Sequence, residues 1–149
     1  MITYKVFIEG KLNGCEESFL KTYINHIKPS NSDNIKFIPV GGWTKLAPLK
    51  NQLTEDSDAG GINIVIFDAD DKVKDHQHGG FTDRSTKSRR DLSDCSFKLF
   101  LFPNSNDDGD FEVLLEGIVT KEHERILTCF SNYETCLSSY KDSSTGKPS

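Results

Sequence analysis

Three apolar runs, each closing on acidic residues, constrain this chain more than any other feature of it. Tyr4-Lys5-Val6-Phe7-Ile8 leads into Glu9-Gly10, and residues 62–67 lead into Asp68-Ala69-Asp70-Asp71. Residues 97–102 lead, through Pro103-Asn104-Ser105-Asn106, into Asp107-Asp108-Gly109-Asp110-Phe111-Glu112. Runs of this length and composition read as buried strands, and a near-continuous apolar strand is expected where helices cover both faces of a parallel sheet. The carboxyl ends of parallel strands open on one edge, where ligands bind in α/β folds. Three segments would then aim carboxylates at one place, where each bare pair repels by roughly 4 kcal/mol at about 4 Å and an effective dielectric near 20. A divalent cation relieves that repulsion, so the pattern is read first as a metal site.

The segments between these runs carry helical periodicity, and alternating strand and helix signals mark an α/β layer architecture. Residues 16–27 place Phe19, Leu20, Tyr23, Ile24 and Ile27 on one helical face. Residues 35–40 form a short strand closed by Gly41-Gly42, and a helix is expected from Thr44, with Pro48 tolerated in its first turn. Residues 71–80 read as a flexible polar loop and residues 81–93 as a helix with a thin apolar face. From Asp110, a helix repeats Phe111, Leu114, Leu115, Ile118 and Val119 at i, i+3, i+4, i+7 and i+8. A last helix, 121–140, would turn Ile126, Cys129, Phe130, Tyr133 and Leu137 inward. One domain over 1–140 is expected, with 141–149 as a disordered tail.

Charge and cysteine usage narrow the function classes. With a net charge of -5, the chain does not offer the broad basic surface that holds nucleic acid by charge alone. A metal-bridged contact stays open, because a bound Mg²⁺ inverts the local sign. No apolar run approaches the roughly 20 residues of a membrane span, and no signal-peptide pattern opens the chain, so a cytoplasmic protein without a membrane partner is expected. Cys15, Cys95, Cys129 and Cys136 lack zinc-ribbon spacing and read as buried free thiols.

Asp68-Ala69-Asp70 is the strongest local signal. On an extended segment, side chains two apart point the same way, so both carboxylates could share an ion. Mg²⁺ suits such a pair because it takes oxygen ligands and keeps several waters. Glu9 joins them by position, whereas Glu16 and Glu17 open a helix where acids are favoured anyway. Asp107, Asp110 and Glu112 are further candidate ligands. Asn104 to Phe111 echoes a calcium loop, but Leu115 stands where the bidentate Glu is needed, which excludes an EF-hand. Asp108 or Asp110 is expected to cap the following helix. Gly41-Gly42-Trp43-Thr44-Lys45 could bring a phosphate to a helix N-terminus, with Lys45 adding charge, or could be a tight turn that packs Trp43. The P-loop pattern is absent. Arg84, Lys87, Arg89 and Arg90 form the one basic concentration, suited either to substrate phosphates or to a solvated face. His76 and His78 could add metal ligands or simply be exposed.

Together, Phe7-Ile8-Glu9-Gly10, Gly41-Gly42, Ile66-Phe67-Asp68-Ala69-Asp70-Asp71 and an acidic segment opening a helix resemble the Toprim domain of topoisomerases, bacterial primases and the overcoming-lysogenization-defect nucleases. The string from Gly41 to Leu46, with Leu101-Phe102-Pro103-Asn104 leading to Asp107-Asp108-Gly109-Asp110, resembles in particular a small stand-alone Toprim-like family of bacterial proteins. The resemblance spans roughly residues 3–120. It implies a three-layer, Rossmann-like α/β fold, with a mainly parallel sheet of about four strands between helices. It also implies Mg²⁺ (or Mn²⁺) on Asp68 and Asp70, with Glu9 as general acid/base or metal ligand. Lys11-Leu12-Asn13-Gly14-Cys15 stands as an insertion after Glu9-Gly10, and Glu16 fits the family's next acidic place only when counted back from Phe19.

The first functional expectation is Mg²⁺-dependent phosphodiester chemistry of the nuclease type. Glu9, Asp68, Asp70 and Lys45 would be catalytic. Gly10, Gly41, Gly42, Arg84 and Arg90 would hold the substrate, a nucleic acid or nucleotide. The alternative is a non-catalytic Toprim module that binds metal-nucleotide or nucleic acid with a separately encoded partner protein. A third reading is a haloacid-dehalogenase-like phosphatase with Asp68 as nucleophile, although that nucleophile normally follows the first strand.

Overall fold

A computed structural model describes residues 2–28 and 34–139; the expected tail at 141–149 lies outside the described residues. The chain divides into two compact units, one through Leu114 and one from Leu115. The first is α/β. Strand β1 (Tyr4–Ile8) is followed by helix α1 (Cys15–Ile27), β2 (Ile35–Pro39), two short 3₁₀ turns, α2 (Lys50–Asp58), β3 (Ile62–Asp68), α3 (Phe81–Asp91) and β4 (Lys98–Phe102). Helix α4 (Phe111–Ile118) crosses into the second unit, which also holds α5 (Glu124–Ser139).

The four strands form one all-parallel sheet in the order β2-β1-β3-β4, flanked by helices in a three-layer Rossmann-like arrangement. Each parallel step needs a crossover, and α1, α2 and α3 supply them. β1 pairs with β3 from Tyr4↔Ile62 to Ile8↔Ile66, while β2 lies on the other side of β1. The strand order therefore reverses between β1 and β3, and the crevice beyond their carboxyl ends is the ligand position of open α/β sheets. Glu9 and Asp68 stand there.

Side chains alternate between the sheet faces. Phe7, Val65, Phe67 and Leu101 pack with Leu46, Leu53 and Leu92 on one side, and Leu53 and Leu92 are fully buried. On the other side, Phe111 meets Phe102 at 5.1 Å and Phe19 at 5.4 Å, joining β4, α4 and α1. The polar pin of the core is Asn63, whose Nδ2 donates to Leu53 O at 2.7 Å and Ser57 Oγ at 2.9 Å, fastening α2 to β3.

Three local expectations change and one gains detail. The helix expected from Thr44 is two 3₁₀ turns, Trp43–Lys45 and Ala47–Leu49, before α2 starts at Lys50. Pro48 has no N–H to donate, and the chain advances in short turns around it. The loop at 71–80 is built of turns. Asp71 Oδ1 accepts the N–H groups of Val73 and Lys74, both at 2.8 Å, and Asp75 Oδ1 accepts those of Gln77 and His78. Finally, Cys15, Cys129 and Cys136 are exposed rather than buried, with Cys95 half-buried. On α5, Ile126 and Phe130 are more than half exposed instead of inward.

Because Leu53 is fully buried against the sheet, Leu53→Ala should cost about 2–5 kcal/mol of unfolding free energy. A urea titration followed by circular dichroism measures this, and a loss under about 1 kcal/mol would contradict the packing described.

Candidate active site

Glu9 leaves β1 with its carboxylate turned across the sheet edge. Oε2 accepts the Asp68 N–H at 3.1 Å and Oε1 the Trp43 N–H at 3.3 Å. The second contact depends on Gly41-Gly42. Their φ values of 75° and 125° bend the chain back over Glu9, and Gly41 N–H donates to Glu9 O at 3.1 Å. Only glycine enters that region without steric cost. The glycine turn thus delivers a backbone donor to Glu9. Lys45 is exposed, with its Nζ folded back beside Gly41.

Asp68 ends β3, and its Oδ1 accepts the N–H of Phe111, the first residue of α4, at 3.0 Å. Glu16, in the first turn of α1, takes the Gly10 N–H on Oε2 at 2.8 Å. A Cβ at position 10 would stand 2.3 Å from that oxygen, so Gly10 is what permits the contact. Burial, then the charges of Glu9 and Glu16, push the Asp68 carboxyl up to about 7 against the pull of the Phe111 N–H. Burial also raises Glu9, and burial followed by Glu112 raises Glu16. Among the described residues, none of Glu9, Glu16 and Asp68 has an ion-pair partner.

Asp70 behaves differently. Its φ of 55° takes it out of the extended conformation on which a shared Asp68/Asp70 orientation was expected. Paired backbone hydrogen bonds with Gly109 hold it there. Its carboxylate meets Arg84 Nη2 at 2.5 Å. Arg84 is buried, also touches Asp75 at 3.4 Å, and lies 4.4 Å above the Trp43 ring. Asp110 caps α4 through Val113 N–H at 3.0 Å and pairs with Lys74. Burial pulls Asp110 upward, but Lys74 and the backbone donors carry it below the usual carboxylate range. Asp108 instead caps α3, accepting Phe81 N–H at 2.7 Å.

The structure thus gathers Glu9, Glu16, Asp68, Asp70, Asp110 and Glu112 into one electrostatically coupled region. Asp107 is exposed, and its oxygens are taken by Asn104 and Asn106. Arg90 is exposed beside Asp91 at 3.6 Å, and Lys87 pairs with Asp91 at 2.7 Å. His76 is exposed, while His78 packs edge-on against Trp43. Two members are stronger than their sequence signal. Glu16 looked like a first-turn acid, and Lys74 carried no signal at all. The Asp71-Lys72-Val73-Lys74 turn could have hinted that Lys74 is aimed back at the acids. Among the described residues, no three His, Cys, Asp or Glu side chains converge tightly enough to hold a metal ion alone.

No family model matches the chain, and it has no match among curated proteins or solved structures. No helix among the described residues is long and apolar enough to cross a membrane.

Two predictions follow from the charges. The Asp68 carboxyl is raised in the folded chain, so its contribution lowers stability as pH climbs from about 4 through about 7. Asp68→Asn keeps the Phe111 contact without the charge and should raise stability by about 1 kcal/mol or more at pH 8, after allowance for partial exposure. Near pH 4.5 the gain should largely vanish; thermal scans at the two pH values make the comparison. Arg84→Met should cost about 3 kcal/mol by stranding Asp70, and adding Asp70→Asn should recover much of it. A double-mutant cycle in urea reads the coupling, and additive losses would refute the pairing.

Proposed function

We propose that this chain carries a Toprim-like centre for Mg²⁺-dependent phosphodiester chemistry of the nuclease type, acting on a nucleic acid or nucleotide. One observation carries the reading. Glu9 and Asp68 flank the β1/β3 switch point, oriented by backbone N–H groups, with no ion pair to neutralise them. Hydrogen-bonded carboxylates that repel each other, one with a pKa near 7, mark a site that a cation or a proton completes.

The donors fit Mg²⁺ or Mn²⁺ better than a fully protein-caged ion. They are hard carboxylate oxygens, and three ligating side chains do not converge. Mg²⁺ characteristically takes one or two carboxylates and leaves its other positions to water and substrate phosphate. Glu9 and Asp68 would hold it, with Glu16 beside them and Asp70 behind. Such an ion supplies Lewis-acid stabilisation of charge developing on phosphoryl oxygens. Where Asp68 holds the ion and Glu9 does not ligate it, Glu9, raised by burial, is suited instead to move a proton at the reacting oxygen. Lys45 lies exposed beside the glycine turn and can meet a substrate phosphate, and Arg90 adds exposed positive charge. Arg84 acts inside the protein, holding Asp70.

Mn²⁺ and Mg²⁺ binding by calorimetry, comparing the natural chain with Asp68→Ala/Asp70→Ala, tests the site. Binding should disappear in the variant while the circular dichroism spectrum stays unchanged, and affinity should climb as pH passes about 7. Metal-dependent cleavage of phosphodiester substrates should disappear with it. Equal binding by both proteins would refute the site. Binding without turnover across DNA, RNA and nucleotide substrates would support the non-catalytic module instead.

A further inference from the structure

The basic residues of α3 divide between two places. Arg84 is buried against Asp70 and Asp75. Lys87 and Arg90 instead line an open cavity of about 210 Å³, together with Gln77, His78, Asp83 and Thr86. Its charges do not cancel. Lys87 and Arg90 share the carboxylate of Asp91, at 2.7 Å and 3.6 Å, and Asp83 is matched by Lys72. One positive charge is left over, on a chain whose net charge is -5. Gln77 and Thr86 add exposed hydrogen-bond donors.

Trp43 stands between this cavity and the carboxylates. Its N–H donates to Glu9 Oε1 at 3.3 Å. Its ring lies 5.2 Å from the Lys87 ammonium and 5.2 Å from the His78 ring, and both of those residues line the cavity. A single tryptophan therefore touches the centre through its backbone and the cavity through its side chain.

We propose that this cavity is a phosphate subsite for a polynucleotide strand, taking a backbone phosphate other than the one at the Glu9/Asp68 centre. Resting on the phosphodiester reading above, it makes the substrate a strand with phosphates on both sides of Trp43 rather than a mononucleotide. Size decides against a whole small molecule, because drug-sized ligands fill pockets of about 300–1,000 Å³. The lining suits a phosphate: a guanidinium grips two oxygens at once, an ammonium adds a point charge, and hydroxyl and amide groups donate to the rest. An acidic chain has no broad basic surface on which to hold a strand, so a local excess of positive charge beside the centre carries that role. Contacts of this kind set the register of the strand without reading its sequence.

Fluorescence anisotropy of a short labelled oligothymidylate with the full-length chain, in Ca²⁺ and without divalent ions over a range of salt, tests the subsite. Arg90→Gln should weaken binding about five- to tenfold and flatten the slope of log affinity against log salt by about 0.7, the share of one phosphate on a single strand. Arg89→Gln removes the same charge from the neighbouring exposed position, outside the cavity. It should change affinity less than about twofold. Thymidine 5′-monophosphate, measured by calorimetry with Mn²⁺, should show no difference between the natural chain and Arg90→Gln. Equal losses in the two arginine variants, an equal loss for the mononucleotide, or no strand bound by the natural chain overturns the subsite. Mn²⁺ binding to the natural chain without nucleotide separates the two readings. If it persists while the strand comparison fails, the metal centre stands and the subsite falls. If it is absent while Arg90→Gln alone weakens the strand, the metal centre falls and the subsite stands. Thermal unfolding verifies that each variant is folded.

Discussion

Asp68 is the point on which the site and much of its frame depend. It ends the central strand β3, and its backbone N–H is received by Glu9 from β1. Its carboxylate receives the first N–H of α4. A buried carboxylate is costly unless hydrogen bonds or charges compensate it. Here the backbone supplies some of that compensation, and the neighbouring acids work against it. The same contacts that join β1, β3 and α4 leave negative charge at the sheet edge. Fold and the electrostatics of the candidate site are therefore coupled at one residue.

Around Asp68 the remaining charges are distributed unequally. Arg84, covered by Trp43 and flanked by Asp70 and Asp75, is the buried centre of a half-buried charged assembly next to the site. The left-handed backbone at Asp70 and its paired hydrogen bonds with Gly109 keep Asp70 facing that assembly. Trp43 links it back to Glu9, since its N–H serves the carboxylate while its ring carries the guanidinium. Electrostatic preorganisation of this kind holds charges where solvent would otherwise let them relax. The acids differ in role because their partners differ, although their chemistry is the same.

Much of the fold was legible in the sequence because strand and helix periodicity are local. The strands at Tyr4–Ile8, Ile62–Asp68 and Lys98–Phe102 lie where apolar runs placed them, and α1 and α3 follow their helical patterns closely. The failures are physical too. Trp43 to Leu49 keeps a helix-like spacing of leucines, but Pro48 withholds an N–H, and 3₁₀ turns result. The polar stretch after Asp71 reads as a loop and is one, but its turns were not legible, because they come from aspartate side chains capping backbone N–H groups and leave no hydrophobic period to read. The inward face expected of α5 was a sound pattern, but periodicity marks an apolar stripe without naming what covers it.

What the sequence alone determined is the alternation of strands and helices, and the delivery of acids to strand ends, because both follow from neighbours along the chain. What only the tertiary structure decided is the state of each acid. Glu9 and Asp68 are 59 residues apart, and Lys74 and Asp110 are 36 apart. Strand order brought them together and set which carboxylates received a cation and which received only backbone N–H groups. Charge compensation is a matter of distances in space, and spacing along the chain carries no record of it.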